Sequence, residues 1–269
     1  MIFSTFAGGI VLLIAPFFSH SLLLVPLHDI CILVIAGLLA AISITFYLNA
    51  LMKEETTVVV PLMQLIPVFG YVLGYFVLGE SLSSNQVIAF LIIIFGAFIL
   101  SLEFIEEEHI KLKKNILFLM TGCALLFALY ETLFKLVATD VGFVDSTFWE
   151  HVGIFSYGLI LFAFSTQYRR EFKEILHVKH RRMEILGINI SSEVLTLTGN
   201  ILTNFALLLA PLALVQLVSA YQPVFTFMIG IILTLFFPKI STEKIGIKHF
   251  IHKALSIGII LFGSYLLFV

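Results

Sequence analysis

Residues 186–209 read LGINISSEVLTLTGNILTNFALLL, and the interpretation of the whole chain starts from this stretch. A helix of this length can cross the ~30 Å hydrocarbon core of a bilayer, for which about 20 residues suffice. The stretch nevertheless carries polar side chains at helical spacing, which places them along one face. We call them the polar stripe: Asn189, Glu193, Thr196, Asn200, Thr203 and Asn204.

Lipid cannot solvate the polar stripe, because a carboxylate at the bilayer centre costs at least ~2.5–3.5 kcal/mol on insertion scales. We therefore expect the stripe to face other helices or a water-filled cavity, with Glu193 near mid-depth. The alternative is that these groups only join helices, at about 0.6 kcal/mol per hydrogen bond. A whole file of polar residues favours the cavity, since joining helices needs one or two.

The composition is that of a polytopic membrane protein. Of the 269 residues, 60% are hydrophobic and 12% are charged, whereas soluble domains have about 25% charged residues. The formal net charge is −2, and no basic patch alternates with aromatic residues, so nucleic-acid binding is not expected. Cys31 and Cys123 both lie in apolar segments and indicate neither a disulfide framework nor a metal site.

The fold class predicted is an all-α integral membrane protein, because only helices satisfy every backbone group within one lipid-exposed segment. Nine segments are predicted to span the membrane. They cover roughly 3–19, 30–52, 57–79, 85–103, 115–138, 146–165, 185–209, 211–236 and 249–268.

The chain also contains an internal repeat. Residues 64–69 (QLIPVF) parallel 220–225 (AYQPVF), and Gly74 falls on Gly230 at the same offset of 156. Two further matches support the repeat: 94–96 (IFG) with 261–263 (LFG), and 4–6 with 146–148 (both STF). The predicted organisation is a first copy at 1–103, a charged linker at 104–114 and a second copy at 115–269.

The two copies differ in helix number, four in the first and five in the second, because the helix at 115–138 has no counterpart. Five is odd, so the copies insert with opposite orientations, an arrangement that in many transporters places the site near the midplane between copies. The protein is either a nine-helix variant or a sequence that begins after a lost first helix. We favour the second explanation, because an unpartnered helix leaves a groove open to lipid.

The basic residues predict an orientation. Every Lys and Arg except Lys135 falls on the same side as residue 1, and short basic loops stay in the cytoplasm. Residue 1 is therefore expected in the cytoplasm and Val269 outside it, in the cell membrane.

Several motifs resemble the EamA branch of the drug/metabolite transporter superfamily. They are Pro67-Val68-Phe69, Leu78-Gly79-Glu80 and Phe95-Gly96-Ala97-Phe98 in the first copy, with Gln222-Pro223-Val224-Phe225 and Phe262-Gly263-Ser264 in the second. The resemblance implies a ten-helix inverted repeat that moves small organic metabolites or drugs by alternating access. The chain departs from it in the absent first helix, in Pro238-Lys239 where the first copy has Gly79-Glu80, and in an orientation that differs from the family's cytoplasmic termini.

Pro67 and Pro223 lie inside predicted helices at equivalent positions of the two copies, and each removes a backbone hydrogen bond. Interrupted helices at corresponding positions point to a transporter site, so these prolines are predicted to gate it. Polar side chains near them would contact the solute, with the polar-stripe residues Asn189, Glu193, Asn200 and Asn204. These side chains are Gln64, Gln222, Tyr47 and Tyr221.

Three charged groups remain for interpretation. Glu131 and Lys135 lie four residues apart and can pair across one turn, either in a solute site or as a structural pair with Lys135 reaching the interface. Glu193 is a candidate for proton coupling, with Lys135 or His151 as partner if those helices adjoin. Glu150 and His151, beside the interfacial anchor Trp149, are expected among the headgroups.

No cofactor, metal site or catalytic constellation is predicted, since His249 and His252 have a weak ligand spacing and no hydrolase motif is present. The function predicted is a secondary transporter rather than an enzyme. Its expected partners are the lipid bilayer, a small-molecule solute and coupling protons, and a homo-oligomer is compatible with the sequence. The alternative is a non-transporting membrane scaffold or subunit derived from the transporter fold.

Overall fold

The computed structural model describes residues 2–19, 21–22, 24–54, 56–101, 114–166, 168–170, 182–236 and 247–267. The predicted linker 104–114, apart from Lys114, and the basic segments 171–181 and 237–246 lie outside the described residues. In the described ranges there are helices and no strand, so the all-α prediction is confirmed. The helices are α1 (Ile2–Ile14), α2 (Leu27–Leu51), α3 (Thr56–Leu62), α4 (Leu65–Leu78), α5 (Ser84–Ser101), α6 (Lys114–Val141), α7 (Phe143–Phe164), α8 (Arg182–Leu207), α9 (Leu212–Gln216), α10 (Gln222–Phe236) and α11 (Ile247–Leu266).

Each predicted span coincides with helical structure. Five helical segments are long and apolar enough to cross a membrane by length and composition: α2, α6, α7, Val59–Leu78 and Leu212–Phe236. Shorter apolar helices lie at Gly8–Phe17, Ser84–Leu100 and Ile251–Leu266. Helix α8 has 26 residues, about 39 Å at the α-helical rise, but the polar stripe makes it less apolar than those five.

Two of the predicted spans are interrupted close to a proline. Helices α3 and α4 are separated by a turn, and Pro67 lies in the first turn of α4. Helices α9 and α10 are separated by a 3₁₀ segment, Leu217–Tyr221, and Pro223 is the second residue of α10. The predicted helix interruption is thus present at both prolines.

The backbone at the two interruptions follows the sequence repeat. The Ile66 N–H donates to the Met63 carbonyl at 3.0 Å, and the Gln222 N–H donates to the Ser219 carbonyl. Donors and acceptors are both related by the offset of 156 residues. In each copy the N–H of the residue before the proline therefore donates to the carbonyl four residues before the proline. The proline itself has no N–H with which to make that bond.

Contacts divide the chain into two compact units. Unit 1 contains Met1–Thr45 and Leu126–Ala210, and unit 2 contains Phe46–Leu125 and Pro211–Val269. Each unit therefore takes segments from both predicted copies.

Unit 2 contains a symmetric crossing of α5 and α11. A Cβ atom on Gly96 would lie 2.9 Å from Ile260 Cγ1, and one on Gly263 would lie 2.7 Å from Ile93 Cγ1. The two contacts exchange under the offset of 167 residues, and they run in opposite order along the two helices. Two equivalent helices that cross antiparallel support the inverted repeat.

Unit 1 contains a closer crossing, between α2 and α7. A Cβ atom on Gly37 would lie 2.0 Å from the Glu150 carbonyl oxygen, and one on Gly153 would lie 2.2 Å from the Val34 carbonyl oxygen. The two backbones therefore touch, which only glycine permits at these positions. This contact fixes the first half of α7, where the polar residues of unit 1 are concentrated.

Candidate functional site

Unit 1 has a polar interior contributed by α6, α7 and α8. Its members are all less than a tenth exposed, and we call them the buried polar cluster. They are Tyr130, Glu131, Thr132 and Lys135 of α6, Asp145, Ser146, Thr147, Glu150 and His151 of α7, and Asn204 of α8.

A chain of hydrogen bonds joins the three helices. The Tyr130 hydroxyl donates to Asn204 Oδ1 at 2.9 Å, and Asn204 Nδ2 donates to Glu150 Oε2 at 2.8 Å. Glu150 and Asn204 are each only 1% exposed. Because a buried carboxylate is costly unless donors reach it, Asn204 both stabilises Glu150 and fixes α8 against α7.

The predicted pair on α6 contributes two charged groups to this interior. Glu131 is 2% exposed and interacts electrostatically with Glu150, and Lys135 is 9% exposed. The Lys135 ammonium donates to the Ala210 carbonyl at 2.6 Å, just beyond the end of α8. Lys135 is thus covered by the protein, and whether it lies at the membrane interface stays a prediction. A solute-binding role for Glu131 and Lys135 stays a prediction.

The start of α7 is covered by the segment that joins α1 to α2. The Ser21 hydroxyl donates to Asp145 Oδ2 at 2.5 Å, and Trp149 Nε1 donates to the Leu22 carbonyl at 3.1 Å. The other oxygen of Asp145 and the hydroxyls of Ser146 and Thr147 are buried and have no hydrogen-bond partner in the part of the chain that the structure describes. This end of the cluster thus holds unused hydrogen-bonding capacity.

Glu150 and His151, expected among the headgroups, are covered by neighbouring helices, and their depth in the membrane stays a prediction. They are 1% and 3% exposed, and His151 Nδ1 lies 2.8 Å from the Thr147 carbonyl oxygen. The physical reason is that Gly8 and Gly37 let α1 and α2 approach α7 closely enough to cover both side chains. Residues 145–151 (DSTFWEH) have polar positions at helical spacing, and this signal could have predicted a second polar face.

The polar stripe of α8 enters this interior at one end. Asn204 is buried in the cluster, Asn189 and Glu193 are half-buried, and Thr196 and Asn200 are exposed. Of the four predicted solute contacts on α8, Asn204 is therefore the one that the structure brings together with Glu131 and Lys135. The roles of the other three stay predictions.

The remaining predicted site residues belong to unit 2. Gln64 is buried at the turn between α3 and α4, with no hydrogen-bond partner for its Oε1 among the described residues. Tyr47 is half-buried, Gln222 is exposed, and the Tyr221 hydroxyl is hydrogen-bonded to the Ser264 hydroxyl.

An apolar groove of about 610 Å³ lies between α3–α4 and α5 in unit 2. Gln64 contributes to its wall, together with aliphatic and aromatic side chains such as Leu91 and Phe95. Gln64 thus has much less polar surroundings than the predicted solute contacts of unit 1.

The Leu78-Gly79-Glu80 motif has a structural part in unit 2. Gly79 ends α4 with a φ of 68°, and Glu80 Oε2 accepts the Leu212 N–H at 2.7 Å. Leu212 is the first residue of α9, so the carboxylate caps a helix of the second copy from a motif of the first.

Within the described residues, no three His, Cys, Asp or Glu side chains are placed to hold a metal ion. The histidines at 177 and 180 lie outside those residues.

Fold and site together define a multi-pass membrane protein with a polar interior, the class to which transporters belong. The model of the EamA-like transporter family matches residues 1–102, which coincide with the predicted first copy. The resemblance inferred from the motifs of the first copy is thus confirmed over residues 1–102. A comparison with curated proteins finds no match.

Proposed function

We propose that this chain is a secondary transporter that moves small organic metabolites or drugs across the cell membrane by alternating access. The observation that carries the proposal is the buried hydrogen-bonded chain from Tyr130 through Asn204 to Glu150, which joins three long helices. Ionisable and amide side chains buried in membrane helices mark solute and ion pathways more often than they serve packing.

In this proposal Asn204, Glu131 and Lys135 contact the solute in the interior of unit 1, and Asn189, Glu193 and Asn200 contribute along α8. Gln64, Gln222, Tyr47 and Tyr221 contribute contacts in unit 2. The helix interruptions at Pro67 and Pro223 open and close the solute site, because a helix that has already lost backbone hydrogen bonds bends at low cost.

Proton coupling is part of the proposal, because a carboxyl group in a membrane helix can alternate between its neutral and ionised forms. Glu193 is the coupling residue proposed from the sequence. The variant Glu193→Gln should transport with a rate that no longer depends on pH, and unchanged transport with unchanged pH dependence would exclude Glu193 from coupling.

We also propose that residue 1 is cytoplasmic, from the basic loops. A cysteine added after Val269, in a chain with Cys31 and Cys123 replaced by serine, should react with an impermeant thiol reagent in intact cells. Labelling only after the cells are broken would show the opposite orientation, with the end at Val269 in the cytoplasm.

The transport proposal is tested by solute uptake into proteoliposomes that contain the purified chain. Wild-type protein should accumulate at least one member of a library of amines, amino acids and aromatic drugs. Asn204→Leu should abolish this uptake, and Thr198→Leu, which changes an exposed polar side chain on the same helix, should retain most of it. A scaffold derived from the transporter fold would show neither uptake nor a solute-dependent thermal shift.

A further inference from the structure

The apolar groove of unit 2 has the dimensions of a small-molecule site. On α5 its wall is formed by Leu91, Phe95 and Phe98, which are spaced by four and three residues and so cover about 10 Å of one helix face. All three are exposed, and the groove therefore opens at the surface of unit 2. Opposite them lie α3 and α4, with Pro61 and Val68. The volume of about 610 Å³ falls within the range of roughly 300–1,000 Å³ that such sites have.

The wall of this groove contains one buried amide. Among the residues that line it in the described part of the chain, Gln64 is the one polar side chain, and none is charged. Gln64 is 5% exposed, and its Oε1 is buried with no hydrogen-bond partner among the described residues. Since buried polar atoms are normally satisfied, this oxygen indicates a donor that those residues do not supply. The last torsion of a glutamine side chain is soft, so the carboxamide can turn to meet a ligand in the groove.

The surroundings of Gln64 restrict what that donor can be. A buried water needs two to four polar partners, and the groove wall offers one side chain. An ammonium group would need an opposite charge, which the wall lacks in the described residues. A plain hydrocarbon chain fits the apolar wall but brings no donor. The remaining chemistry is a neutral aliphatic molecule that carries a hydroxyl group.

We propose that the groove between α3–α4 and α5 binds a neutral aliphatic alcohol from the bilayer, with its hydroxyl group at Gln64. The hydroxyl donates to Gln64 Oε1, and the alkyl chain lies against Leu91, Phe95 and Phe98. The ligand is a component of the membrane and is distinct from a transported solute. The proposal does not rest on the proposed function, because binding is measured without transport.

Photochemical labelling tests the site on the full chain in lipid nanodiscs. The probe is 1-dodecanol with a diazirine on its chain, and the labelled peptides are identified by mass spectrometry. Labelling should concentrate on α5 between Leu91 and Phe98. Unlabelled 1-dodecanol should displace the probe at a concentration at least about fivefold lower than dodecyl methyl ether, which has the chain and the oxygen but no donor.

Variants of Gln64 decide whether its carboxamide is the group responsible. Gln64→Leu and Gln64→Met both remove the acceptor, and in each the alcohol and the ether should compete within about twofold of one another. Asn85→Leu removes an exposed amide at the start of α5 and should keep the wild-type preference for the alcohol. Val68→Trp places a larger side chain in the groove and should reduce labelling of α5 several-fold.

Three results would overturn the inference. They are labelling spread over the apolar helices without preference for α5, equal displacement by alcohol and ether in the wild-type chain, and a preference for the alcohol that survives in both Gln64 variants. The outcome is separable from the transport proposal, because a chain that takes up no solute can still prefer the alcohol. Solute uptake by a chain without that preference would leave the transport proposal standing and remove the alcohol site.

Discussion

Each of the two units combines helices of both predicted copies, and their interiors have opposite character. The core of unit 2 is apolar, with Phe90, Ile93 and Ile260 buried at the crossing of α5 and α11, and its described buried side chains include no charged group. Unit 1 buries the acids Glu131, Asp145 and Glu150 together with Lys135. An apolar interior needs only packing, whereas a polar one in a bilayer must be satisfied from within or by a ligand. This difference supports the proposal that the solute site lies in unit 1.

Substitutions at the glycines of the two helix crossings should have the largest effect on the free energy of unfolding. Gly153→Ala should destabilise by about 3 kcal/mol, because its Cβ would meet the Val34 carbonyl oxygen at 2.2 Å and backbone cannot move aside. Gly96→Ala should cost about 1 kcal/mol, because at 2.9 Å its nearest neighbour is the side-chain atom Ile260 Cγ1, which can shift more easily than backbone. Unfolding in detergent measures both, and Gly199→Ala, whose site is open, is the control. A larger cost at Gly96 would show that unit 2 has the tighter packing.

Removal of the Tyr130 hydroxyl should have the next largest effect on the free energy of unfolding. Tyr130→Phe should cost about 1–2 kcal/mol, because Asn204 Oδ1 then remains buried without its donor. Tyr47→Phe makes the same chemical change at a half-buried position of unit 2 and should change the free energy of unfolding by less than about 0.5 kcal/mol. Equal losses in the two variants would mean that the polar chain contributes no more than an ordinary surface hydroxyl.

The sequence predicts the fold well, for reasons that are visible in particular residues. The apolar spans are continuous and the two prolines lie at equivalent positions of the repeat, so all-α structure and the two interrupted helices follow from pattern alone. The site follows only in part. Asn204, Glu131 and Lys135 are predicted site residues that meet in unit 1, because a buried acid or amide in an apolar helix is unusual wherever that helix packs.

What the sequence does not reveal is which helix covers which polar face. Glu150 lies at the start of α7 beside a tryptophan, a pattern that indicates the membrane surface. Its burial depends on Gly37, which is more than 100 residues distant and has no sequence signal that pairs it with α7. The polar stripe of α8 gives the opposite case. The sequence predicts that Asn200 contacts the solute, but its side chain is exposed. The residue types in the sequence therefore indicate which side chains could form a site. Packing between helices that are distant in sequence decides which of them are buried together.

Replacing the prolines at the two helix interruptions of unit 2 should have a smaller effect on the free energy of unfolding and a larger effect on the rate of uptake. Pro67→Ala and Pro223→Ala each restore a backbone N–H that can reach Met63 or Ser219, so each should stabilise by up to about 1 kcal/mol. Uptake into proteoliposomes should nevertheless fall several-fold, because the bend that the gating proposal requires is stiffer. Pro61→Ala, in α3, is the control proline for uptake. Retained uptake in all three variants would remove the prolines from gating.

Glu80 gives the smallest effect, because it contributes a cap and no buried charge. Glu80→Ala should destabilise by about 1 kcal/mol, since the Leu212 N–H loses its acceptor and α9 loses a negative charge at its first turn. Glu80→Gln retains an oxygen acceptor and should cost only about half as much, which separates the hydrogen bond from the charge. Thermal unfolding at low and high salt measures both, because salt screens the charge and leaves the hydrogen bond. A salt-independent loss shared equally by both variants would show that Glu80 stabilises unit 2 by packing against Gly74 instead of capping α9.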